Sequence, residues 1–257
     1  MQKQWTAGDS AKEAYDAWAP VYDEFNQGYL YERWTAKLLE KAEEAGVGGT
    51  RLLDIACGTG LSFIPMLDRG WTVTGCDISP AMLDIARAKV GERAELLEAD
   101  MRELPDLGEF DLIWAVNDPL NYLLDIEELE ATFEGIRRNL AGDGIALFDV
   151  NTLTLYRTFF SKEVVVEGEG GRLVWQGQLS PPDISAGTFA EARFEAEGNE
   201  DLAAVHRQRH FTEAEVLAAL DVAGLQRVAF FGEKDGDLTP GLDEEVHTKA
   251  VYLCRRK

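Results

Sequence analysis

The 257-residue sequence is short of cysteine, histidine and positive charge, and each shortage removes a class of function. Its three cysteines, Cys57, Cys76 and Cys254, are too few and odd in number for a disulfide framework. Two of them fall in runs that read as core strands, so reduced, inert thiols are expected. Against 47 acidic residues stand only 25 Lys and Arg, a formal charge of −22 at pH 7. Binding a phosphate backbone requires clustered cations that release counterions, so a nucleic-acid partner is excluded and a small-molecule partner expected. No apolar run approaches the roughly 18 residues of a membrane-crossing helix. Met1-Gln2-Lys3-Gln4 carries no apolar leader, and the expected location is cytoplasmic, with no membrane partner. What is present is a 46% hydrophobic share in a length that can bury one full core.

The most informative run is Leu52-Leu53-Asp54-Ile55-Ala56-Cys57-Gly58-Thr59-Gly60. A short apolar strand ends in small residues, and Gly58 and Gly60 let the backbone turn where a ligand must approach without meeting a Cβ. Trp71 to Cys76 reads as a second strand with Asp77 at its carboxyl end. In an open doubly wound sheet that edge faces the ligand, and an acid about 20 residues beyond the glycine turn accepts hydrogen bonds from ribose hydroxyls. A third glycine is missing: Phe63 stands where a dinucleotide site would need one to seat a pyrophosphate. Asp54, just before the turn, suits an ammonium group better than a diphosphate.

The run D-x-A-C-G-T-G with the later acid resembles the first two motifs of class I S-adenosylmethionine-dependent methyltransferases. Glu98-Ala99-Asp100-Met101 resembles the adenine-contacting motif of that family, Phe110 to Val116 its fourth strand, and Leu140 to Val150 its turn into the fifth. The resemblance implies a Rossmann-like, doubly wound α/β sheet of seven strands, the last (about His247 to Arg255) antiparallel. It also implies S-adenosylmethionine as cofactor and S-adenosylhomocysteine as product. Cofactor contacts are then expected from Tyr22, Trp34, Asp54, Ala56, Gly58, Gly60, Asp77, Ile78, Asp100, Met101 and Asn117.

The remaining pattern alternates strands and helices. Ser79 and Pro80 open a helix, as N-cap and first residue, that Gly91 stops. Asp125 with Glu128 and Thr212 with Glu215 are two further capped starts, and Pro65 belongs in the opening turn of the first core helix. Between Lys162 and Phe211 the alternation gives way to strand-like runs at Val164–Val166, Leu173–Trp175, Thr188–Phe194 and Ala204–Phe211, separated by Gly, Pro and Asp. One domain is expected: a helical lid over 1–45, a cofactor-binding core over 50–160, an antiparallel β flap over 161–211 that walls the substrate, and the end of the core sheet over 212–257.

The segment Tyr15-Asp16-Ala17-Trp18-Ala19-Pro20-Val21-Tyr22-Asp23 is dense in aromatics and resembles the N-terminal lid of the small-molecule branch of the family. Bacterial methyltransferases of undefined acceptor are most similar, glycine and amino-sugar N-methyltransferases more distantly so. Within that branch Tyr122 is the first candidate to face the methyl group, and His206 and His210 are candidate bases. Tyr15, Asn121, Tyr122 and Arg209 are candidate substrate contacts. On a strand, His206 and His210 share a face but lie about 13 Å apart, too far to hold one metal ion, and no metal is expected. Arg207 and Arg209 project to the opposite face. The resulting expectation is methyl transfer to a small metabolite by in-line displacement, at nitrogen first, with oxygen and carbon as alternatives, by a monomer or homodimer. A non-catalytic S-adenosylmethionine-binding module and a nicotinamide-dependent oxidoreductase remain as other readings, the latter opposed by the missing glycine.

Overall fold

A computed structural model describes residues 11–168, 171–180 and 183–257. The first ten residues of the expected lid, and residues 169–170 and 181–182 of the expected flap, lie outside the described residues. The central sheet is built from β1 (Arg51–Ile55), β2 (Thr72–Asp77), β3 (Ala94–Glu98), β4 (Phe110–Ala115) and β5 (Leu140–Asn151), all parallel to one another. A separate antiparallel sheet holds β6 (Glu163–Gly168), β7 (Gly171–Gly177), β8 (Phe189–Ala196) and β9 (Asn199–Arg209), in that order. The central sheet is completed by β10 (Leu225–Lys234), β11 (Asp237–Pro240) and β12 (Lys249–Arg256), giving the order β11-β10-β12-β5-β4-β1-β2-β3. The final strand is antiparallel as expected, slotted between β5 and β10. The count of seven is corrected to eight: β11, only four residues long, pairs with the edge of β10 after a turn at Asp235 and Gly236, both at positive φ.

Alternation along the buried strands feeds two apolar layers. Leu53 and Ile55 of β1 and Ile113 and Ala115 of β4 face one side. They meet α5 (Ile126–Asn139) through Leu129, Phe133 and Ile136, and α7 (Glu213–Val222) through Val216 and Leu220. Leu52, Leu112 and Trp114 face the other side, against α2 (Tyr31–Glu44), α3 (Ile64–Asp68) and α4 (Pro80–Val90). The caps form as the sequence implies. Ser79 Oγ accepts from Met82 N, and Thr212 and Glu215 make a reciprocal capping box. Asp125 accepts from Glu128 N, but the Glu128 carboxylate turns outward to Leu124 N and Arg102, so only half of that box closes.

The flap has its own apolar core, and α1 (Ala11–Phe25) and α6 (Leu153–Thr158) complete it. Leu173 and Trp175 of β7, Ala190, Ala192 and Phe194 of β8 and Ala204 of β9 form one face by the period of two. Trp18 of α1 inserts among them, its ring centroid 5.2 Å from Phe194 and 5.9 Å from Trp175. Helix α1 is thus a bridge, seated on the flap through Trp18 and on α4 and the loop after β1 through polar contacts described below.

Candidate active site

The strand order reverses between β1 and β4, and the loops leaving their carboxyl ends frame a crevice, where an open α/β sheet binds ligands. Two adjoining cavities fill it, of about 80 and 370 Å³, with Ala56, Ile78, Met101 and Tyr122 among the residues they share. Gly58 lines the narrower one at φ +54°, and a Cβ placed there would meet nothing within 4 Å, so the open space beside the backbone belongs to the pocket. Asp77 accepts Gly58 N at 2.8 Å on one carboxylate oxygen and Ser79 N at 2.9 Å on the other. A carboxylate has about four acceptor positions, so each oxygen keeps capacity for a ribose hydroxyl. Burial raises the Asp77 pKa. An open glycine turn facing an acid with spare acceptor capacity fits a nucleoside.

Asp100 and Met101 line the wider cavity. The Asp100 carboxylate is clamped by Arg102, whose Nη2 lies 2.6 Å from Oδ2. Burial opposes its charge, but the Arg102 hydrogen bonds outweigh that and hold it below the usual carboxylate range. Ala56, Ile78, Asn117, Tyr15 and Tyr22 also line the narrow cavity, together with Cys57, Thr59, Ser62 and Tyr31, which sequence reasoning missed. Burial pushes the Cys57 thiol up, so it remains protonated and unreactive.

Several expected contacts are corrected. Trp34 is buried in the apolar layer between α2 and the sheet, because its place on α2 points it inward. Gly60 does not line either cavity; its missing Cβ makes room for the Phe63 ring, 2.9 Å from where that atom would be. The Asp54 carboxylate lies behind the pocket wall, accepting Ser62 Oγ at 2.5 Å, and Ser62 is the residue that reaches the cavity. Burial pushes the Asp54 pKa up to about 7. Asn121 is fully buried and ties the ends of β5 and β9 together, donating to Arg209 O and accepting from Asn151 N. Arg209 pairs with Glu215 at 2.7 Å and rests on the Phe211 ring. His210 accepts Gly187 N and approaches Glu244 at 3.5 Å, away from the crevice.

His206 is placed differently. It lies fully buried among Trp18, Trp175 and Tyr15, with Nδ1 3.0 Å from the Tyr122 hydroxyl. Burial drives its pKa down to about 3, so the ring is neutral at pH 7. Burial likewise raises the phenols of Tyr15, Tyr22 and Tyr122, which stay protonated.

Beyond the narrow cavity, a chamber of about 420 Å³ opens between α1, α6 and the flap. Tyr15, Tyr22, Tyr31, Asn117 and Tyr122 line both and form a collar between them. At the chamber's polar end Lys249 Nζ lies 2.8 Å from Asp118 and 3.2 Å from Asp149, and Gln208 Nε2 donates to Asp118 at 2.7 Å. Lys249, unremarked in the sequence, opens β12 just before the apolar run Ala250 to Cys254. Because β12 runs antiparallel to β5, its first residue stands at the carboxyl edge, opposite Asn151.

Helix α1 is fastened over the crevice by polar contacts at both ends. Ser79 Oγ donates to Asp16 Oδ1 and Thr59 Oγ1 to Asp23 Oδ1, each at 2.6 Å, and Lys89 pairs with Asp23.

The profile of a family described as "Methyltransferase domain" matches residues 52–144. "Putative methyltransferase YqeM" of Bacillus subtilis (strain 168) is 31% identical over 217 residues, covering 82% of this chain and 86% of its own length. The dTDP-3-amino-3,6-dideoxy-alpha-D-glucopyranose N,N-dimethyltransferase of Streptomyces fradiae is 30% identical over 146 residues, 56% of each chain. A solved S-adenosylmethionine-dependent methyltransferase from Clostridium acetobutylicum ATCC 824 shares the fold with a TM-score of 0.76 at 21% identity. The match covers 94% of this chain and 98% of that one.

Proposed function

Because the chain belongs to the class I S-adenosylmethionine-dependent methyltransferases, we propose that it methylates a nitrogen of a small molecule seated in the aromatic chamber. The observation that carries this reading is the collar of residues that line both the narrow cavity and the chamber, which sets the two side by side. S-adenosylmethionine, when bound, supplies an electrophilic methyl group on a sulfonium, whose bonding pair stays on sulfur as the acceptor's lone pair forms the new bond.

The chain's own task is then alignment and exclusion of water. Gly58 and Asp77 would seat the nucleoside, and Asp100 and Met101 would flank its base. The collar tyrosines would close around the sulfonium end, where ring faces attract positive charge. Holding the partners in line is worth roughly 7–11 kcal/mol of barrier. Tyr122 would present its hydroxyl at the passage, and His206, through its hydrogen bond to that hydroxyl, is a positioning residue. A neutral His206 and protonated tyrosines supply no strong base, which suits an amine that enters uncharged and not a hydroxyl that must be deprotonated.

The test is to incubate the protein with methyl-labelled S-adenosylmethionine and a pool of small amines and their hydroxyl counterparts, and to locate the label by mass spectrometry. Label on nitrogen is the expected result. Label confined to oxygen or carbon, or cofactor binding without transfer, would overturn the reading. In the same preparation Asp77→Ala is expected to weaken S-adenosylhomocysteine binding 10- to 100-fold, about 1.5–3 kcal/mol for lost charged hydrogen bonds.

A further inference from the structure

We infer that the acceptor is a phosphate-free amine on an aromatic or alkyl skeleton, its nitrogen placed at the Asp118 end of the chamber. This rests on the nitrogen reading above and narrows it. More than half of the lining residues are Tyr, Trp or Phe, and Val164, Val166 and Leu155 add further apolar surface. Such a wall gains from covering carbon and offers little to a heavily hydrated group.

Charge narrows the choice further. Among the described residues lining the chamber, the ionisable acid and base are Asp118 and Lys249. That ammonium is already committed to two carboxylates, Asp118 and Asp149, so the cluster carries one more negative charge than positive. The nearby guanidinium groups are engaged elsewhere, Arg207 with Glu191 and Arg209 with Glu215. A phosphate or diphosphate entering here would meet carboxyl groups and apolar rings, with no uncommitted cation among the described lining residues, and burying an unpaired anion is strongly unfavourable. The Streptomyces fradiae relative, by its name, acts on a nucleotide-linked amino sugar; the present chamber is built against such a substrate.

The same features favour the reaction of an amine. As the C–N bond forms, the nitrogen lone pair becomes the new bond and positive charge appears on nitrogen, to be shed later as one proton to water. Excess carboxylate and ring faces at that end stabilise the charge where it develops, which is stabilisation of the transition state over the neutral ground state.

The experiment is calorimetric titration of the protein, saturated with S-adenosylhomocysteine, with tyramine, tyramine O-phosphate and the alcohol analogue tyrosol. Tyramine is expected to bind at least tenfold tighter than its phosphate, and Asp118→Asn to reduce tyramine binding about tenfold while S-adenosylhomocysteine binding persists as the check of folding. Val166→Trp, which fills the chamber from the flap, is expected to abolish tyramine binding without loss of S-adenosylhomocysteine. Phosphate binding equal to or tighter than that of tyramine would overturn the inference and leave the nitrogen reading standing. Tyrosol binding in preference to tyramine would overturn both, and failure of both tyramine and its phosphate to bind would overturn the inference.

Discussion

Asp54 brings pH to the nucleoside site, since burial lifts its pKa to about 7 against an unfolded value near 3.9. A carboxyl whose folded pKa is raised contributes stability in full below the unfolded pKa and loses it as pH rises through the folded one. Asp54→Asn cannot ionise. It is therefore expected to be more stable than the parent above pH 7, by on the order of 4 kcal/mol, and to differ little near pH 4. Urea unfolding at pH 4.5 and pH 8.5 checks this; a gap that does not widen with pH would contradict it. Gly58 and Asp77 could be found in the sequence because a glycine turn and a strand-end acid act through local backbone geometry. Lys249 and Gln208 could not, since their role depends on register between strands far apart in the chain. Asp54 misled for a related reason: its place in the motif is local, but Ser62 turns back across it by a contact eight residues away.

At the scale of elements, α1 joins the crevice and the flap. Asp23, partly exposed, accepts from Thr59 and pairs with Lys89, a combination worth about 0.5–1 kcal/mol. Asp23→Ala is expected to raise the S-adenosylhomocysteine dissociation rate two- to fivefold in stopped-flow measurement. An unchanged rate would mean that Trp18 packing and the Ser79–Asp16 contact suffice to hold the helix. Helices were legible where caps marked them, as at Ser79-Pro80 and Thr212, and flap strands where apolar residues alternated between turns. The aromatic segment was legible as a helix, but not which of its rings face the cavities. Trp34 shows why, because a tryptophan at helical spacing serves a core as well as it serves a lid. The four-residue β11 sets only Leu238 against the core, too little for an alternating pattern to distinguish it from a loop.

The whole molecule carries 22 more negative than positive charges. Mutual repulsion at that density disfavours the compact state, and salt screens it within a Debye length of about 8 Å at physiological strength. The melting temperature is expected to rise between 0.02 and 0.5 M sodium chloride; a fall would show that surface ion pairs outweigh the repulsion. The same molecule sets one helix against two cavities. Tyr15 and Tyr22 of α1 line both the nucleoside cavity and the acceptor chamber, so a single departure of that helix unseals both. On the reading proposed above, the release of spent cofactor and methylated product would be timed together by how often that helix lifts.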